Sequence, residues 1–112
     1  MRNPADVMER AELHEEKGNY VEAERLYKKA LSLKCKEVGD QSFELIPYLY
    51  NLGMTQYVND RYDDALISLS RVLGLMTTQE EEIGKEVREL RNLLDDVRHD
   101  AEQDSVPMAA NA

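Results

Sequence analysis

The stretch "GNYVEAERLYKKAL", residues 18–31, carries a pattern that returns 42 residues later as "DRYDDALISLSRVL", residues 60–73. Residues of related size recur at this spacing. The matching pairs are Ala11 with Gly53, Tyr20 with Tyr62, Ala23 with Ala65, Tyr27 with Leu69, Ala30 with Val72 and Leu31 with Leu73. A repeated unit of this length is typical of stacked helical pairs, because one pair cannot bury its own apolar face and needs the next pair to cover it.

The amino-acid composition favours a single all-helical domain. The chain has 112 residues, of which 42% are hydrophobic, and it contains only 5 Gly and 3 Pro. That length suits one domain with one core, and the abundant Glu, Leu, Lys, Arg and Ala are strong helix formers. The formal net charge of −9 argues against nucleic acid or an anionic membrane as the partner, because their negative charges would repel the chain.

The sequence also leads to an expectation about the compartment. Residues 1–17 contain no apolar segment of the kind found in signal peptides, and no apolar run reaches the roughly 20 residues that span a bilayer. Cys35 is the only cysteine, so no internal disulfide can form. We expect a cytoplasmic protein with a reduced thiol, and intermolecular pairing or redox sensing through Cys35 is the alternative.

Hydrophobic spacing and capping residues predict five helices over about 3–18, 20–35, 42–59, 62–76 and 78–103. Asn3 is the predicted cap of the first helix, with Pro4 at its first position. The third helix has two candidate starts, because Pro47 either ends the first turn after a Ser42 cap or begins the helix itself. For the fifth helix, Thr78 and Glu81 form a capping box. The segment 104–112 is predicted to be a disordered tail.

Apolar residues in the fifth predicted helix recur at alternating spacings of four and three, as in a coiled coil. We call this set the seam: Ile83, Val87, Leu90, Leu94 and Val97. One hypothesis is that the seam packs on the fourth helix and caps the domain. The other is that part of it is free for a homodimer or for a partner helix.

The segment "YNLGMTQYVNDRYDDALISLSRVL", residues 50–73, resembles the tetratricopeptide repeat. Large, small, aromatic, alanine and large residues stand where that family expects them, at Leu52, Gly53, Tyr62, Ala65 and Leu69. The spacing of 42, longer than the usual 34, is similar to the kinesin-light-chain type of repeat. The resemblance implies a short right-handed α-solenoid over 1–103, with helical hairpins at about 4–36 and 42–76 and a capping helix at about 78–103.

The resemblance also implies a non-enzymatic adaptor or scaffold that binds a peptide or helix of another protein. In this family the first helix of each pair lines a concave binding wall. The matching positions here are Met8, Glu9, Glu12, Glu15, Glu16, Tyr50, Asn51, Met54, Tyr57 and Val58. These residues suit a partner segment with an apolar face and some Lys or Arg. The alternative is that the glutamates are a solvated helix face and the tyrosines pack on the fifth helix or another subunit.

Other chemistry finds little support in the sequence. Some tetratricopeptide domains hold acidic chaperone tails with a clamp of Lys, Asn and Arg, but Met8 and Glu12 stand at two of those positions, so we expect no such binding. "ELHEEK", residues 12–17, is like a metalloprotease helix, yet Gly18 stands where the second His would be. We therefore expect no metal, cofactor or catalytic site, and we interpret His14 as packed or half-buried.

Overall fold

The computed structural model describes residues 3–77 and 84–105, and every regular element in these ranges is helical. The elements are α1 (Pro4–Glu16), α2 (Tyr20–Val38), a 3₁₀ turn (Phe43–Leu45), α3 (Ile46–Val58), α4 (Tyr62–Thr77) and α5 (Gly84–Ser105). The predicted all-α class is confirmed. None of these described helices has both the length and the apolar character needed to cross a membrane.

The first two helices begin at the residues that their sequences indicate, and the second ends later than predicted. The Asn3 side-chain oxygen accepts a hydrogen bond of 2.9 Å from the backbone N–H of Asp6, and Pro4 is the first residue of α1. After α1 the chain reverses at Gly18, whose φ of 80° lies in the left-handed region that glycine adopts without a steric penalty. α2 runs three residues past the predicted end at Cys35 and is closed by Gly39.

The start of the third helix combines both of its predicted alternatives. The Ser42 hydroxyl accepts a hydrogen bond of 3.0 Å from the backbone N–H of Glu44 and so caps a short 3₁₀ turn. The α-helix proper begins at Ile46, which places Pro47 in the first turn. A proline is tolerated there because the N–H that it lacks would have no partner inside the helix.

The fifth helix lies partly outside the described residues at its predicted start. Thr78, Glu81 and Ile83 fall in the interval 78–83, so the capping box and the first seam residue are not described. At its other end α5 continues to Ser105, two residues into the segment predicted as a tail. The rest of that segment, 106–112, lies outside the described residues.

The core consists of two buried clusters that follow the 42-residue spacing. α1 packs against α2, α3 packs against α4, and further contacts join α2 to α3 and α4 to α5. Ala23 and Ala65, which are 42 residues apart, are both fully buried. Gly53 lies so close to α4 that a Cβ atom there would be 2.7 Å from Cγ of Leu69. The repeated small residues therefore mark places where helices approach closely.

The seam of α5 is buried within the same chain. Leu90, Leu94 and Val97 belong to a core cluster that also contains Leu69 and Val72 of α4, and Val87 is half-buried. This placement corresponds to the capping hypothesis. An oligomer built on these side chains would first have to separate α5 from α4.

Candidate functional site

α1 and α3 lie side by side and touch through their side chains. The Asn51 side-chain amide donates to the Met8 sulfur at 3.7 Å, and the Thr55 hydroxyl donates to a Glu15 carboxylate oxygen at 3.4 Å. The structure thus brings both predicted sets of partner-binding residues onto adjoining surfaces. We call the surface formed by these residues of α1 and α3 the groove face.

Glu15 has a structural role at the edge of the groove face. The phenol of Tyr27, which is only 1% exposed, donates a hydrogen bond of 2.6 Å to the Glu15 carboxylate. Burial, followed by this bond to a negatively charged acceptor, raises the pKa of Tyr27 far above its ordinary value. Glu15 therefore connects α1 to α2 as well as to α3, so its carboxylate is not free for a partner.

Tyr57 contacts α5, as the alternative interpretation of the tyrosines expects. Its phenol donates a hydrogen bond to a carboxylate oxygen of Asp100, and its ring meets that of Tyr62 edge to face with centroids 5.9 Å apart. The bond to Asp100, together with burial, raises the pKa of Tyr57 to about 12. Tyr57 thus holds α5 in place beside α3.

The remaining residues of the groove face are accessible. Tyr50 is 41% exposed and Val58 is 51% exposed, and Met54 lies half-buried between them. Their spacing of four places all three along one ridge of α3. On α1, the exposed glutamates are Glu9, Glu12 and Glu16. Over the described part of the chain, none of these three glutamates forms an ion pair.

A buried polar junction joins α2, α3 and α4. The Gln56 amide donates to Glu24 at 3.1 Å and accepts a bond of 2.7 Å from the Ser68 hydroxyl. Glu24, which is only 3% exposed, also pairs with Arg61 at 3.0 Å and with Lys28 at 3.3 Å. A buried carboxylate is costly unless it is paired and hydrogen-bonded. Here every polar group has a partner, so the junction fixes α2 relative to α3 and α4.

A pocket of about 370 Å³ opens between α3, α4 and α5, next to the ridge of α3. Its apolar lining consists of Tyr50, Met54, Met76, Leu90 and Leu93, and Glu86 and Glu89 complete it. Sequence reasoning missed Met76, Glu86, Glu89 and Leu93 as site residues. One signal in the sequence could have indicated this pocket. Leu93 stands next to the seam residue Leu94 and extends the apolar surface of α5 toward α3.

Comparison with known families agrees with this arrangement of helices. A family model described as tetratricopeptide repeat matches residues 4–78. The chain belongs to the tetratricopeptide repeat family. The match covers about two thirds of the chain and spans α1 to α4. Comparison with curated proteins and with solved structures gave no significant match.

Membership of the tetratricopeptide repeat family indicates a general type of activity. Tetratricopeptide repeats generally mediate protein–protein interaction, and the family is typically non-enzymatic. In this member, His14 is half-buried, and its Nδ1 atom is buried with no hydrogen-bond partner among the described residues. Cys35 is a half-buried free thiol. Within 3–77 and 84–105, no group of three or more His, Cys, Asp and Glu side chains is arranged to hold a metal ion.

Proposed function

We propose that this chain is a non-enzymatic interaction module that binds a peptide or helix of another protein across the groove face. The observation that carries the proposal is the exposed apolar ridge of Tyr50, Met54 and Val58 beside carboxylates that have no ion pair within the described residues. Exposed aromatic and aliphatic side chains with charged neighbours are typical of recognition surfaces. Family membership supports the same type of activity.

The proposal also includes the arrangement of the helices and the cellular location of the protein. We take the helices as a short right-handed solenoid of two hairpins, with a kinesin-light-chain-like period and α5 as the cap. The matched burial of Ala23 and Ala65 supports this period. The groove face is then the concave wall, and the module acts as an adaptor or scaffold in the cytoplasm.

A pull-down with two matched double variants tests the proposed surface. We expect Tyr50→Ala with Val58→Ala to lose the partners that the wild type captures. The control is Val21→Ala with Ile67→Ala, which truncates two apolar side chains that are also exposed but lie on α2 and α4. The control should keep the partners, and both variants should keep the wild-type circular dichroism. Equal retention by both double variants would show that the groove face is not the binding surface.

Self-association is the second hypothesis, and a mass measurement in solution separates it from the first. Leu90, Leu94 and Val97 are buried against α4, so the self-association that we consider uses the groove face instead of the seam. In that case the wild type would be a dimer, and Tyr50→Ala with Val58→Ala would make it a monomer. A wild type that is monomeric at micromolar concentration would exclude a stable homodimer.

A further inference from the structure

The charges on α5 are divided between two sides of the helix. At about 3.6 residues per turn, one side carries Glu86, Glu89, Leu93, Asp96 and Asp100. Asp100 accepts the hydrogen bond from Tyr57, so this side faces α3. The opposite side carries Arg88, Arg91 and Arg98 together with Asp95, which pairs with Arg98, and Lys85 lies between the two sides. The side of α5 next to the groove face is therefore acidic.

The pocket beside the ridge of α3 has an apolar base and an acidic edge. Leu90 is buried and Leu93 is half-buried, whereas Glu86 and Glu89 are exposed. Neither glutamate forms an ion pair with any residue that the structure describes. An apolar side chain can enter such a pocket while a cationic group on the same ligand reaches the two carboxylates.

Acidic residues also border the other side of the ridge. On α1, Glu12 and Glu16 follow Met8 at intervals of four residues, and Met8 contacts α3 through Asn51. The apolar ridge thus lies between two acidic borders, one on α1 and one on α5. A ligand that complements this surface has an apolar stripe with positive charges on both sides of it.

We infer that the partner segment is a basic amphipathic helix. In this mode its apolar stripe lies on the ridge of α3, one apolar side chain enters the pocket, and Lys or Arg residues on either side reach Glu12 and the pair Glu86 and Glu89. The inference rests on the proposed function and adds the chemistry of the partner. A helix fits better than a strand, because strand side chains point to only two opposite faces, whereas a helix can direct charges to both sides of an apolar stripe.

Synthetic peptides test the chemistry of the partner directly on the full chain. The probe is a labelled helix of about 14 residues, which is close to the 13 residues of α3. It carries a Leu stripe with Lys on both sides. One comparison peptide has every Lys replaced by Glu, and another has the same composition in an order that mixes Leu with Lys. We expect saturable binding of the Lys peptide that weakens as salt is raised, no binding of the Glu peptide, and at least 10-fold weaker binding of the mixed peptide.

Variants of the chain then locate the contact. Glu86→Gln with Glu89→Gln should weaken binding of the Lys peptide roughly 3- to 10-fold, as expected for the loss of two exposed ion pairs. The control, Asp40→Asn with Asp95→Asn, removes the same amount of charge from exposed positions away from the pocket and should change affinity by less than about 2-fold. Replacing the central Leu of the peptide by Ala should weaken binding roughly 10-fold if that side chain is buried in the pocket.

The outcomes separate this inference from the proposed function. Equal losses in the two charge variants, or equal binding of the ordered and mixed peptides, would overturn the inference. If the Lys peptide does not bind while the pull-down still depends on Tyr50 and Val58, binding at the groove face is supported and the inference of a basic helical partner is wrong. If binding depends on Glu86 and Glu89 but is unchanged in Val58→Ala and Glu12→Gln, the pocket stands and the wider groove face fails.

Discussion

Replacing Gly53 by Ala should destabilise the chain, although alanine is the better helix former. The new Cβ atom would lie 2.7 Å from Cγ and 2.8 Å from Cδ2 of Leu69, and 3.2 Å from Cβ of Ser68. Cγ is the branch point of Leu69, so turning the side chain about its outer bonds does not relieve the contact. Leu69 is itself fully buried and has no space to move into. The helices would have to separate locally.

The size of the effect follows from two opposing contributions. Forcing an additional carbon atom into a packed core costs about 1–3 kcal/mol, and the present contact belongs at the upper end of that range. The substitution of glycine by alanine inside a helix contributes about 1 kcal/mol in the opposite direction. We therefore expect a net loss of about 2 kcal/mol in the free energy of unfolding, which is a large part of the stability of a small domain.

Urea denaturation followed by circular dichroism measures this loss, and Gly74 provides the control. Gly74 lies exposed in α4, and a Cβ atom there would meet nothing within 4 Å. Gly74→Ala should therefore stabilise the chain by about 0.5–1 kcal/mol through helix propensity alone. A Gly53→Ala variant as stable as the wild type would refute the reasoning. In the Leu69→Ala background, the same change at Gly53 should cost much less, because the opposing side chain is gone.

Three further predictions concern other contacts. Glu24→Ala should cost about 3 kcal/mol in urea denaturation, because Arg61 and Gln56 lose a buried partner, whereas Glu22→Ala, which removes an exposed pair with Arg25 on the same helix, should cost much less. The pKa of Tyr57, about 12 in the folded chain, exceeds its ordinary value of about 10, so the stability that Tyr57 contributes is complete below pH ~10 and is lost as the pH rises through about 12. Phenolate absorbance should show one late-titrating tyrosine fewer in Tyr57→Phe, whereas Tyr27, whose pKa is also raised, should still titrate late; an unchanged number of late-titrating tyrosines would contradict this assignment. An acidic chaperone-tail peptide should show no saturable binding by fluorescence anisotropy, and saturation at micromolar concentration would contradict the expectation.

The fold was largely predictable because its determinants are local or periodic. The Asn3 cap, the turn at Gly18 and the spacing of Ala23 from Ala65 are each visible within one or two short stretches of sequence. The start of α3 was less predictable. Ser42 and Pro47 each favour the start of a helix. Only the structure shows that Ser42 caps a 3₁₀ turn and that Pro47 lies in the first turn of a separate α-helix.

The candidate site was only partly predictable, because it depends on side chains that meet across helices. Helical spacing places Tyr57 on the same helix face as Tyr50, yet its phenol contacts Asp100, a residue 43 positions further along. The burial of Glu24 depends on Gln56 and Arg61 from outside its own helix. No pattern within a single helix indicates these partners, and the pocket beside α5 was missed for the same reason.

The polar junction makes the order of the two repeated segments matter. Counting back 42 residues from Gln56, Arg61 and Ser68 reaches His14, Asn19 and Leu26. A chain lengthened with a second copy of the first segment would therefore place a buried Glu24 against His14, Asn19 and Leu26, none of which supplies a guanidinium. A copy of the second segment would carry Leu66 at that position instead. That joint would leave the Gln56 amide and the Arg61 guanidinium without the carboxylate that both of them bind. Copying either segment unchanged would therefore break the junction, so repeat engineering of this chain would have to redesign these positions at each new joint.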